Sequence, residues 1–107
     1  MAKGEAPVLE VLADINASSL ERTDLDAATL ILVRLAALAA VDAPAASYLV
    51  HLGPAAEAGI TLDQAQDVLV AVAPIVGTPR TMAAATKMVE ALGLAIDLAE
   101  REQEQGG

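Results

Sequence analysis

Between residues 27 and 60 the chain carries only three charged side chains, Arg34, Asp42 and Glu57, with His51 as the one further titratable group. A stretch so poor in charge must be largely covered, because ionised side chains are what a solvated face ordinarily shows. Its first part holds Leu30, Ile31, Leu32, Val33, Leu35 and Leu38, broken only by Arg34. As a helix it presents apolar side chains in nearly every direction, so one neighbour cannot cover it. The chain has 107 residues, enough for one modest core. The surplus of apolar helix surface therefore predicts that copies of the chain cover one another. A membrane span over residues 25–41 is the competing expectation, and it fails. Arg34 sits at its centre and the uncharged flanks are too short, so no membrane partner is expected.

Composition fixes the fold class. About a quarter of the residues are alanine, while Phe and Trp are absent and Tyr48 is the only aromatic. Alanine gives up no side-chain entropy on entering a helix, so the composition favours closely approaching helices. No alternating strand pattern competes. The expected architecture is all-α, with five helices in a single domain over residues 1–107 whose core covers about 24–100.

Start and stop signals place those helices. The first covers residues 7–17, with Val8, Leu12 and Ile15 on one stripe opposite Glu10 and Asp14, and Ser18 and Ser19 favouring its end. The acidic stretch of residues 23–26, with Asp24 and Asp26, then supplies an N-cap and favourable charge for a central helix reaching about Val41. Asp42 is expected to cap a third helix beginning at Ala43 or Pro44, which carries Ser47, Tyr48 and His51. Gly53 and Pro54 should interrupt or kink it, since Pro54 cannot donate to the Val50 carbonyl. Gly59 supplies a left-handed stop, and Thr61 with Gln64 forms a capping box opening a fourth helix to about Ala73. Pro74 and Gly77 end or bend that helix, and Thr78 and Pro79 serve as cap and first residue of the last. Met82, Ala85, Met88, Val89, Leu92, Ile96 and Leu98 are expected to line its buried side. Residues 1–5, and those beyond Ala99, should be loose.

Charge and cysteine content exclude several functions. Six Lys and Arg against fifteen Asp and Glu give a net charge of −9, so the surface repels a phosphate backbone and nucleic acid is not an expected partner. The chain has no cysteine, which removes disulfides, thiolate nucleophiles and thiolate metal sites. One histidine with scattered acids lacks the spacing of a metal-ligand set, so neither a metal nor a cofactor is expected. The N-terminus does not read as a secretory signal, and a cytoplasmic location is the expectation.

The remaining candidates for chemistry are few. His51 lies four residues after Ser47 and three after Tyr48, so all three can share a helical face. Imidazole is the side chain suited to moving protons near neutral pH, whereas the structural alternative is a histidine bonded to a backbone carbonyl at a subunit contact. Ser47 with His51 lacks both an orienting carboxylate and a strand-to-helix elbow, which argues against a serine hydrolase. Arg34 must find a carboxylate or water: either it anchors a substrate carboxylate, or it pairs with Asp42, Glu57 or an acid of a neighbouring copy. Arg80, just after a helix start, is a second candidate for anion binding or a plain surface arginine.

Three stretches in order resemble the carboxymuconolactone decarboxylase family, which includes the alkyl hydroperoxidase D proteins. They are the aspartate-started Leu- and Ala-rich helix of residues 26–40, the run from His51 through Gly59 and Thr61 to Gln64, and the Pro74, Gly77, Pro79 turn. The resemblance implies a compact helical fold assembled as a homotrimer or homohexamer. It also implies lyase- or isomerase-type chemistry on a small carboxylated or oxygenated metabolite. His51 would then be proton donor or acceptor, Tyr48 and Ser47 its hydrogen-bonding partners, and Arg34 and Arg80 the substrate anchors. The peroxidase branch carries a Cys-x-x-Cys pair where this chain has Pro44 and Ser47, so thiol peroxidase activity is not expected. A glutamate of the family falls near Ile31 here, leaving His51 as the one matched proton-handling residue. A catalytically silent binding or scaffold protein is the alternative.

Overall fold

The computed structural model describes residues 6–106, which form five helices and, among them, no strand. They are α1 (Ala6–Arg22), α2 (Ala27–Ala40), α3 (Ala45–Glu57), α4 (Leu62–Val76) and α5 (Thr78–Gly106). The all-α expectation holds. Ile31, Leu35 and Ala39 of α2 meet Tyr48 and Ala55 of α3, Ala65 and Leu69 of α4, and Ala84, Met88 and Ala91 of α5 in one buried cluster. Half of those contacts are alanines, whose small side chains let helix axes approach closely. Both α2 and α5 pack against α3 and α4 and against each other, whereas α3 and α4 do not pack together. The wedge between α3 and α4 is where the site forms.

The helix ends follow local chemistry. The Thr29 amide donates to Asp26 Oδ1 at 2.8 Å, capping α2. At the start of α4 the Gln64 amide donates to Thr61 Oγ1 at 3.1 Å and the Thr61 amide to Gln64 Oε1 at 2.9 Å, a complete capping box. Gly59 takes φ 79°, and the amides of Gly59 and Ile60 close α3 on the Ala56 and Ala55 carbonyls, the paired bonds of a Schellman end. Gly77, at φ 93°, serves two helices. Its amide bonds the Ala73 carbonyl, while its own carbonyl accepts from the Thr81 amide.

Several expectations are corrected. Ser18 and Ser19 do not end α1, which runs on to Arg22 because Ser19 is engaged from outside by Arg34. Asp42 does not cap α3; Pro44 occupies that position without a side-chain bond. Asp42 instead takes φ 54° and closes α2, and its carboxylate accepts from Lys87 Nζ at 2.7 Å. Pro54 and Pro74 do not interrupt their helices, although Gly77 ends α4 as expected. The carbonyls they release belong to Val50 and Val70, residues 68% and 73% exposed, where water can take over the bond. Gly77, not Thr78, accepts the first bond of α5.

On α5, Met88 is buried and Ala85 and Leu92 are partly buried, but Met82, Val89, Ile96 and Leu98 are exposed. The inward face is instead the narrower alanine stripe of Ala84 and Ala91. The helix continues to Gly106, because the Glu, Gln and Arg of its polar end are good helix formers. The expected looseness of residues 1–5 and of Gly107 concerns positions outside the described residues. Among the described residues no other helix packs against α1. Val8, Leu12 and Ile15, its apolar stripe, are all more than half exposed.

Candidate functional site

Where α3 and α4 diverge, a cavity of about 210 Å³ opens between α2 and α5. Its wall is mostly hydrocarbon: Leu35 from α2, Leu52 and Ala55 from α3, Ile60 from the connecting turn, and Met88 and Leu92 from α5. Tyr48, His51 and Thr61 are its polar residues, but Tyr48 meets the cavity with its ring, because its hydroxyl is sealed from accessible space. Thr61 is committed elsewhere, since its hydroxyl belongs to the capping box.

His51 is half-buried, and its Nδ1 lies 2.8 Å from the Ser47 carbonyl oxygen one turn earlier. A carbonyl only accepts, so Nδ1 must donate, and the neutral ring then keeps its lone pair on Nε2. That bond fixes both the tautomer and the tilt of the ring. The backbone-carbonyl bond foreseen for a purely structural histidine is therefore present, and it holds a residue on the cavity wall.

Tyr48 is 1% exposed, and its hydroxyl has no hydrogen-bond partner among the described residues. Buried hydroxyls are normally paired. Burial, with a lesser contribution from the Asp42 carboxylate, pushes the Tyr48 phenol above its ordinary pKa. The group thus stays a neutral donor over the physiological range.

The other sequence candidates lie apart from this cavity. Ser47 is not on its wall and acts through its backbone carbonyl. Arg34 pairs with no acid among the described residues. Its guanidinium donates to Asn16 Oδ1 at 2.8 Å and Ser19 Oγ at 3.0 Å, tying α2 to α1. Arg80 donates to the Ala40 carbonyl at 2.7 Å, where a cation meets the negative end of α2. Neither arginine reaches the wall. Ion pairing with Lys87, and less so the charge of Arg80, holds the Asp42 carboxyl below its usual range. No described cluster of three or more His, Asp or Glu is placed to hold a metal, and no described helix is long and apolar enough to cross a membrane.

Sequence reasoning missed the aliphatic walls. Leu52 and Leu92 carry ordinary core signals, and nothing in their spacing marks them as lining rather than filling. A second, shallower groove between α4 and α5, with Leu69, Val70, Ala73 and Met82 along it, was likewise unmarked.

No curated protein and no solved structure matches the chain. A family model described as the carboxymuconolactone decarboxylase family matches residues 6–91. The match takes in α1, which the sequence resemblance had left aside, together with the His51 helix, the turn at Gly77 and the cavity wall except Leu92 and Ala95. The chain belongs to the carboxymuconolactone decarboxylase family.

Proposed function

We propose that this protein performs acid–base chemistry of the lyase or isomerase type on a small oxygenated metabolite, working as a homotrimer or homohexamer. The observation that carries the reading is His51, oriented through Nδ1 at 2.8 Å from the Ser47 carbonyl on the wall of an otherwise apolar cavity. In this scheme Nε2 removes a proton from the carbon next to a substrate carbonyl. The electron pair moves onto the carbonyl oxygen, and the resulting enolate lies beside the imidazolium. The imidazolium then returns the proton at a different carbon, giving an isomer.

Deuterium wash-in tests it. A panel of small ketones, lactones and their carboxylated analogues is incubated with the protein in D₂O and followed by proton NMR. Protein-dependent exchange beside the carbonyl is expected, falling by about a hundredfold or more in His51→Gln. Exchange that is equal in both proteins, or absent across the panel, supports a catalytically silent oligomeric binding protein. A specific feature favours that second reading: the wall holds no carboxylate, and Ile31, near the family's glutamate position, is buried in the core.

A further inference from the structure

The cavity offers a ligand the His51 ring and a hydrocarbon surface, but no Lys or Arg. Three of the chain's cations are engaged away from it: Arg34 with Asn16 and Ser19, Arg80 with the Ala40 carbonyl, and Lys87 with Asp42. A carboxylate entering such a space gives up its hydration without gaining a cation, which is among the most costly burials in protein chemistry. The surrounding field adds to that cost, with a net charge of −9 and the Asp42 carboxylate close enough to Tyr48 to oppose its ionisation.

One feature pulls the other way. The first turn of α4 reaches the wall at Thr61 and Leu62, and helix starts attract anions. Here that end is already met by the Thr61 side chain on the Gln64 amide and by the acidic Asp63 in the first turn.

We infer that the cavity binds a neutral compound about the size of a substituted six-membered ring and excludes carboxylates. A weakly acidic C–H or N–H of the ligand faces His51 Nε2, and its carbon skeleton lies against Leu35, Leu52, Ile60 and Leu92. The volume fits, because a cavity of roughly 150 Å³ lined by aliphatic side chains already takes a benzene-sized guest. Lacking a carboxylate to lose, such a substrate directs the chemistry to proton transfer rather than decarboxylation. This inference rests on the reading of the cavity as a substrate site.

Two probes of nearly equal shape separate the possibilities: cyclohexanecarboxamide, which is neutral, and cyclohexanecarboxylate. Each is titrated into the full chain at about pH 8, above the range in which imidazoles ordinarily protonate. Tyr48 is the only Phe, Tyr or Trp, so its ring resonances, told from those of His51 by their coupling pattern, report the wall. The carboxamide is expected to shift them and to raise Tm with concentration, its Kd at least about tenfold below that of the carboxylate. His51→Phe, which removes the acceptor and keeps a ring in place, should weaken the carboxamide roughly three- to tenfold. Equal or tighter binding of the carboxylate overturns the preference for neutral ligands while leaving the cavity a substrate site. No response of Tyr48 to either probe overturns both this inference and the reading it rests on.

Discussion

A phenol enclosed in hydrocarbon with no partner works against the fold that encloses it, since an unsatisfied buried hydroxyl costs about 1–3 kcal/mol. Tyr48 is in that position. Removing the oxygen while keeping the ring should leave packing intact, so Tyr48→Phe is expected to be neutral or to raise stability by about 1 kcal/mol, read from urea midpoints. A loss larger than about 1 kcal/mol would mean that the hydroxyl makes a structural bond after all. The same residue sets an alkaline limit. Its folded pKa lies above the ordinary 10.0, so folding favours the protonated phenol. That contribution is fully present below about pH 10 and is lost as pH rises through the folded value. A spectrophotometric titration of this single tyrosine should give a midpoint above that of the urea-unfolded chain; coincident midpoints would contradict it.

At the scale of helices, the junction of α3 and α4 determines the shape of the cavity wall. Gly59 reverses the chain and Thr61 caps α4, placing Ile60 and Thr61 against the ligand space. Thr61→Ala removes the acceptor for the Gln64 amide and should cost about 1 kcal/mol, measured by chemical unfolding. A variant as stable as the parent would show that solvent caps this helix equally well. These signals were legible in the sequence because both partners of each bond lie within four residues of one another. His51 and Tyr48 were legible for the same reason, being three apart on one helix. Arg34, Arg80 and Asp42 were not, because their partners Asn16, the Ala40 carbonyl and Lys87 lie 18, 40 and 45 residues away. A lone cation in an apolar helix announces that it needs a partner without saying which. The exposed faces of Met82, Val89 and Ile96 were misjudged for a related reason. Periodicity gives a stripe, and the alanines of α5 proved to be the stripe that its neighbours touch.

For the whole molecule, the open question is what covers the hydrocarbon left outside. On α1, Val8, Leu12 and Ile15 are 57%, 55% and 59% exposed, and on the rest of the surface Val41, Val70, Ile75 and Met82 exceed them. Scattered apolar residues need no explanation, but a helix whose entire stripe is open does. Helices in proteins draw most of their stability from packing an apolar face, and within the chain α1 is tied to α2 only through the Arg34 bonds to Asn16 and Ser19 among the described residues. Those are surface hydrogen bonds, together worth about 1–3 kcal/mol, too little to order the helix by themselves. Covering by further copies supplies what is missing, with α1 as the element that gains most from it. Sedimentation at micromolar concentration is therefore expected to give three or six subunits, with a Tm that falls on dilution. Leu12→Asp, which places a charge in the α1 stripe without touching the cavity wall, should shift the population toward smaller species while circular dichroism keeps the helical signal of α2 to α5. A parent protein that sediments as one well-folded subunit with a dilution-independent Tm would remove the case for assembly.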